Sequence, residues 1–224
     1  DKSEVNKIKR EVDCVNELGF PANFVTKTGL PFGILGGIQF KNQAQFNPIK
    51  YVNGLSDFII KNNGQIYTNT TVYDVKKDAN IFSTLTVGGI VKSKYVILAS
   101  HYPFLNFPGM YFLKMYQSSS YVIGVDVKKT LFNGMYITSS SPTYSFRTAY
   151  YNGRKILLLG GSDHKTGTPV TYNDSYLALE NYAKQLYPNC EVLFRWDTRD
   201  CITLDKIPYI GNFSNTIDNL YVGT

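Results

Sequence analysis

Three cysteines are too few and too scattered to organise this chain. Cys14, Cys190 and Cys201 include no CxxC pair and no cysteine–histidine spacing, so neither a disulfide framework nor a zinc site is indicated, and no metal is expected. Unpaired thiols suit a reducing compartment, and the expectation is a cytoplasmic protein. No apolar run approaches the ~18 residues that a membrane span needs. The charged start, DKSEVNKIKREVD, has no apolar signal core. GxSxG, HExxH, Walker A and GxGxxG are all missing, so no nucleophile elbow, zincin helix or phosphate loop can be read from the residues. There is no internal repeat and no low-complexity linker.

What is there is an ordinary globular composition over 224 residues. It is 43% hydrophobic and 18% charged, with a formal charge of +6. That excess fits a basic nucleic-acid-binding module only if lysines and arginines gather on one face among exposed aromatics. Here they are scattered, and the densest run, Lys7 to Arg10, lies on a solvated helix face, which argues against nucleic acid.

Val5, Ile8, Val12, Val15 and Leu18 recur at helical spacing and stop at Gly19. A second helix starts with Asn47 as N-cap and Pro48 in the first position; Val52, Leu55 and Ile59 form its expected buried face, and Gly64 ends it. A third runs from Tyr172 to Tyr187 through Leu177, Leu179, Tyr182 and Leu186. Strands are expected in GGIQFKNQAQF, QIYTNTTVYDV, KYVILAS, SYVIGVDV, YSFRTAYY, KILLLGG, CEVLFRW and NLYVG, with a hairpin turn at Gly88-Gly89. KYVILAS is apolar almost throughout, as for a strand covered on both faces. Strands dominate the middle and helices interrupt them, so the fold class is α+β rather than a regular βαβ alternation.

Among polar residues, His101 follows one apolar strand and His164 lies in a Gly-rich loop after another, so both are acid–base candidates. Arg147 is a single cation inside an aromatic strand. It either snorkels or pairs from an exposed face, or it binds an anionic group. Asp200 and Asp205 read as turn formers around Thr203.

Six stretches carry a resemblance: LPFGILGGIQFKNQAQFNPIKYVNGL, GQIYTNTTVYDV, YVILASHYPF, SYVIGV, LLLGGSDHKTG and WDTRDCITLDKIPYIG…NLYVGT. In this order they resemble the FAD-dependent oxidoreductases of the D-amino-acid oxidase/glycine oxidase superfamily. The nearest subgroup often carries a C-terminal Rieske-type iron–sulfur domain, which would lie outside this chain.

The resemblance implies FAD as the cofactor of the parent enzyme and an amine or amino acid as its substrate. It also implies an interior stretch of a longer enzyme, lacking the GxGxxG unit and the closing flavin loop. Such a stretch is expected to be inactive alone, to hold no FAD, and to self-associate through its exposed cofactor side. A catalytically silent folded module is the alternative function.

The implied domains are a mostly antiparallel substrate-domain sheet with flanking helices (1–46 and 106–207) and part of an FAD-binding α/β domain (47–105 and 208–224). Val72, Ala99, Ser100, His101 and Gly211 match positions near the cofactor. Arg147, His164 and Tyr121 are expected on the substrate side. Where the family tends to place a carboxylate-clamping arginine, this chain has Asp200, with Arg199 one place earlier and on the other strand face. A cationic group facing Asp200 is therefore also an expected mode.

Overall fold

The computed structural model describes residues 2–224. The described elements, in chain order, are α1 (Lys2–Glu17), β1 (Ala22–Val25), β2 (Gly37–Phe40), α2 (Pro48–Lys61), β3 (Val72–Asp78), β4 (Ile81–Thr86), β5 (Gly89–Ser93) and β6 (Val96–Leu98). They continue with β7 (Met115–Asp126), β8 (Tyr136–Ile137), β9 (Tyr144–Tyr151), β10 (Arg154–Lys165), α3 (Tyr172–Leu186), β11 (Glu191–Thr203), β12 (Ile210–Asn212) and β13 (Leu220–Gly223). This is the expected α+β class, with largely antiparallel sheets.

The chain divides into two compact units. The first holds the segment up to Pro48 with Tyr121–Asp163 and Val170–Asp197. The second holds Ile49–Ser120, His164–Pro169 and Thr198–Thr224. The first change of unit falls after Pro48. The later changes of unit fall within β7, β10 and β11 and in the loop before α3.

In the first unit, α1 forms on its valine and isoleucine stripe, and Val12 is its buried member. Leu18 lies beyond the helix and is exposed. Asn16 ties the helix end to β1: its side-chain NH2 donates to Val12 O and Ala22 O, and its Oδ1 accepts from Ala22 N–H. β1 and β2 make a small antiparallel ladder; Ala44 and Phe46 lie outside it.

The main sheet has the order β11-β7-β10-β9-β8. Alternation along its strands sends Tyr121, Ile123, Val125, Phe146, Leu157 and Leu159 to one face, where they pack with Leu179 and Ala183 of α3. Thr171 caps α3, its Oγ1 accepting the Asp174 N–H at 3.1 Å. Tyr182 of α3 stacks on Tyr144 with ring centres 4.0 Å apart, and Tyr176 meets Tyr121 edge-on at 5.2 Å. Leu177, expected inward, is exposed.

In the second unit, β3, β4 and β5 form an antiparallel meander with the expected hairpin at Gly88-Gly89. A second sheet has the order β12-β13-β6, with β13 parallel to β6 and antiparallel to β12. Its core gathers Phe82, Leu98, Tyr111, Met115, Phe213, Leu220 and Val222.

Two expectations fail here. α2 begins at Pro48 as expected, yet none of its residues is buried, and Val52, Leu55 and Ile59 are exposed. On β6, Leu98 is buried but Ile97 is 69% exposed, so this apolar strand is covered on one face only. The apolar pattern reports surface suited to burial, and among the described residues nothing fills that role for α2.

Candidate functional site

The carboxyl end of the parallel pair is the first candidate surface. Leu98 pairs with Val222, and Val222 pairs with Gly211, so the ends of β6 and β13 and the middle of β12 lie side by side. The crevice beyond the carboxyl ends of parallel strands is where such sheets take ligands. Ala99, Ser100 and His101 follow directly from β6, all three exposed. Gly211 has φ 145°, and a Cβ there would meet no atom within 4 Å, so the backbone is open to close approach.

His101 has φ 64°, a left-handed conformation that turns the chain sharply after the strand. Its Nε2 accepts the Cys201 N–H at 3.2 Å and lies 3.1 Å from Arg199 O. Ser100 closes its own turn, its hydroxyl donating to Tyr102 O at 2.9 Å. The structure thus brings together Ala99, Ser100, His101 and Gly211. Val72 lies apart from them on the meander, opposite Thr86.

Also in this unit is a concavity of about 420 Å³ lined by Tyr116, Ser118, Cys201, Thr203, Lys206 and Thr224. Burial pushes the Cys201 thiol above its usual value, which keeps it protonated and unreactive. Sequence reasoning did not find this hollow, because its residues come from segments far apart in the chain.

Two of the expected polar residues take other positions. His164 lies within β10 rather than in a loop: the strand continues through the glycines, and His164 O accepts from the Ser118 hydroxyl at 3.3 Å. Asp200 lies on β11, not in a turn, and its Oδ2 accepts from the Ser120 hydroxyl at 3.0 Å. Asp205 is a turn former as expected, accepting the Ile207 N–H at 3.1 Å.

The open face of the main sheet in the first unit is the second candidate surface. Tyr121 is absent from it. That ring is 1% exposed in the core against α3, so strand alternation removes it from ligand contact. Arg147 points to the other side: its neighbour Phe146 is fully buried in the α3 core, while Arg147 is exposed and pairs in register with Leu158. Among the described residues its side chain makes no ion pair and no hydrogen bond, so it does not pair with a carboxylate, and both snorkelling from the exposed face and binding an anionic group remain as readings.

On the core side, Tyr176 donates to Asp197 Oδ1 at 2.9 Å, and burial followed by that bond pushes its phenol up to about 12. Arg195 pairs with Glu180 at 2.6 Å. A further network joins Lys128 to Asp126 at 2.8 Å and to Glu191 at 3.2 Å. The Lys128 ammonium holds the Asp126 carboxyl below its usual value.

One unit presents the carboxyl edge of parallel strands, and the other is built on an antiparallel sheet with an open face. Residues 2–224 match the DAO family of FAD-dependent oxidoreductases, and the chain belongs to that family.

It is 32% identical over 223 residues to the Bacillus subtilis protein described as a Rieske 2Fe-2S iron–sulfur protein, YhfW. The match covers 100% of this chain and 44% of that protein. Glycine oxidase from Geobacillus kaustophilus has the same fold, with a TM-score of 0.76 at 19% identity over 100% of this chain and 62% of its own. L-proline dehydrogenase from P. horikoshii gives a TM-score of 0.78 at 17% identity, over 100% and 64%. The chain therefore spans under half of the curated relative and under two thirds of these solved structures.

Proposed function

We propose that this chain forms the substrate-binding part and a portion of the cofactor-binding part of an enzyme that oxidises the C–N bond of an amine or amino acid. The observation that carries the reading is the exposed cluster at the ends of β6 and β13. There Ala99, Ser100 and Gly211 leave room for a flat group to approach the backbone. These residues fit FAD and would hold it, with His101 fixing the turn and Val72 contributing from the meander.

When bound, FAD supplies a two-electron acceptor for the hydride that leaves the carbon next to nitrogen. The chain's own residues bind and orient. Arg147 offers a cation for an anionic substrate group, and Asp200, held by Ser120, offers an anion for a cationic one. His164 is half-buried on β10 and is a further candidate for the substrate side. No strong protein base is needed once the substrate amine is neutral.

We further infer that the cofactor side is completed by residues beyond these 224, and that the chain by itself is a folded, catalytically silent module. The uncovered apolar face of α2 and the exposed Ile97 support this. The Rieske name of the Bacillus subtilis relative supports an iron–sulfur domain elsewhere in a longer protein. The three free thiols suit residence in the cytoplasm.

Visible absorption tests the reading. A longer form of the protein is expected to show a flavin band that bleaches anaerobically with an amine or amino acid. The 224-residue chain, incubated with FAD and desalted, is expected to keep no band. A longer form with no flavin would overturn the proposal.

A further inference from the structure

We infer that His101 is a positioning residue for Asp200: its ring holds the backbone on both sides of that carboxylate and so fixes where a cationic group of the substrate is taken. This deepens the function proposed above and rests on its assignment of Asp200 to the substrate.

β11 is the end strand of its sheet, so one row of its N–H and C=O groups faces no neighbouring strand. The Arg199 C=O and the Cys201 N–H, two residues apart on an extended chain, point to the same edge. His101 Nε2 lies 3.1 Å from Arg199 O and 3.2 Å from the Cys201 nitrogen. A ring with its proton on Nδ1 accepts the Cys201 N–H, and a ring with its proton on Nε2 donates to Arg199 O. Either tautomer stands in for the missing strand at this point. Asp200 is the residue between the two anchors.

The Asp200 side chain is exposed, and its Oδ2 accepts from the Ser120 hydroxyl at 3.0 Å. The backbone anchors set the place of its Cα, and the Ser120 bond sets the direction of the carboxylate. A cation then meets a carboxylate already in position, and less ordering is lost on binding. The φ of 64° at His101 turns the ring toward β11. Glycine makes such a turn at no steric cost; what histidine adds is the reach of its ring. Because His101 follows directly from Ala99 and Ser100, the same residue ties the cofactor-side turn to Asp200.

Amide hydrogen exchange and the Asp200 carboxyl carbon signal, both read by NMR on the 224-residue chain, test this. His101→Asn keeps a residue suited to the left-handed turn but is too short to reach β11. His101→Gln has the reach and ends in both an acceptor and a donor. In His101→Asn, exchange at the Cys201 amide is expected to quicken by about tenfold, and the Asp200 carboxyl signal to shift. His101→Gln is expected to restore both. Benzylamine, a cation at neutral pH, is expected to move the Asp200 signal saturably in the unaltered chain and in His101→Gln. Its binding to His101→Asn should be weaker by about threefold or more. Far-UV circular dichroism checks that each variant is folded.

Unchanged Cys201 exchange in His101→Asn, or a His101→Gln variant that restores nothing, would overturn the inference. So would benzylamine binding that is absent or equal in all three chains. Faster exchange spread over the whole chain would assign His101 to stability and overturn it too. None of these measurements needs flavin. Benzylamine held through His101 and Asp200, with a longer form that carries no flavin, would keep this inference and remove the oxidoreductase reading. A flavin band with no benzylamine response would do the reverse.

Discussion

α3 and α2 are both amphipathic helices of similar length, 15 and 14 residues, yet only one of them has a covered face. α3 lays Ser175, Leu179 and Ala183 against the main sheet, and Leu179 and Ala183 are completely buried. α2 buries none of its residues, and Phe58, Ile60 and Val52 each expose more than half of their surface, at 64%, 58% and 54%. The same periodicity is therefore satisfied in one unit and left open in the other. An apolar stripe records what a helix is built to cover; whether anything covers it depends on sheet residues remote in the chain.

The largest break in this comparison should come from the covered helix. Leu179→Ala removes a side chain with no solvent contact from the centre of the α3 core. A cavity of that kind costs about 2–5 kcal/mol, depending on how far the surroundings relax. Urea denaturation should show the midpoint falling sharply with little change in slope. A loss under about 1 kcal/mol would mean that α3 is not anchored on the sheet as described.

The contrast between the helices also marks how much was legible in the sequence. All three helices could be read, because helix starts and periodicity are local: Pro48 opens α2, Leu179, Tyr182 and Leu186 mark α3, and Val5 to Val15 give α1 its stripe. The hairpin at Gly88-Gly89 was equally local. Strand ends were less so. β11 continues through Asp197, Arg199 and Asp200 to Thr203, because backbone pairing extends the ladder where side-chain apolarity has stopped. β10 likewise carries His164 past two glycines.

The candidate site was partly legible. His101, Ala99 and Ser100 followed from the end of an apolar strand, and Arg147 stood out as a lone cation. The face a strand residue takes is set by its neighbours, so Tyr121 was misplaced. The close approaches at Gly124, to Phe194, and at Gly160, to Ser145, left no local signal, because they exist only where β7 meets β11 and β10 meets β9.

A middle-sized effect is expected from pH, and it too belongs to the covered helix. Tyr176 has its phenol raised from 10.0 to about 12 by burial and by its bond to Asp197. The unfolded chain ionises this group first, so between pH 10 and about 12 the folded state binds more protons than the unfolded state. Stability is therefore fully present below pH 10 and declines as pH rises through that window. Burial raises Tyr182 and Tyr187 as well, which adds to the decline with the same sign. Denaturation midpoints measured from pH 8 upward should fall across this range, and Tyr176→Phe should flatten part of the slope. An unchanged slope would mean that the phenol is not held by Asp197.

The smallest effect on stability should come from the uncovered helix. Phe58→Ser replaces a ring that is 64% exposed, so the folded state loses little burial, and the expected change lies within about 0.5 kcal/mol. The same substitution should act on association, since exposed apolar surface on α2 is what would bring copies of the chain together. Sedimentation velocity across a concentration series should show less self-association than in the unaltered chain. If Phe58→Ser instead cost about 2 kcal/mol or more, the ring would have to be buried in solution, as large losses on truncation require. α2 would then resemble α3 after all, and the difference between the two helices would lie in how each finds its cover, not in whether it has one.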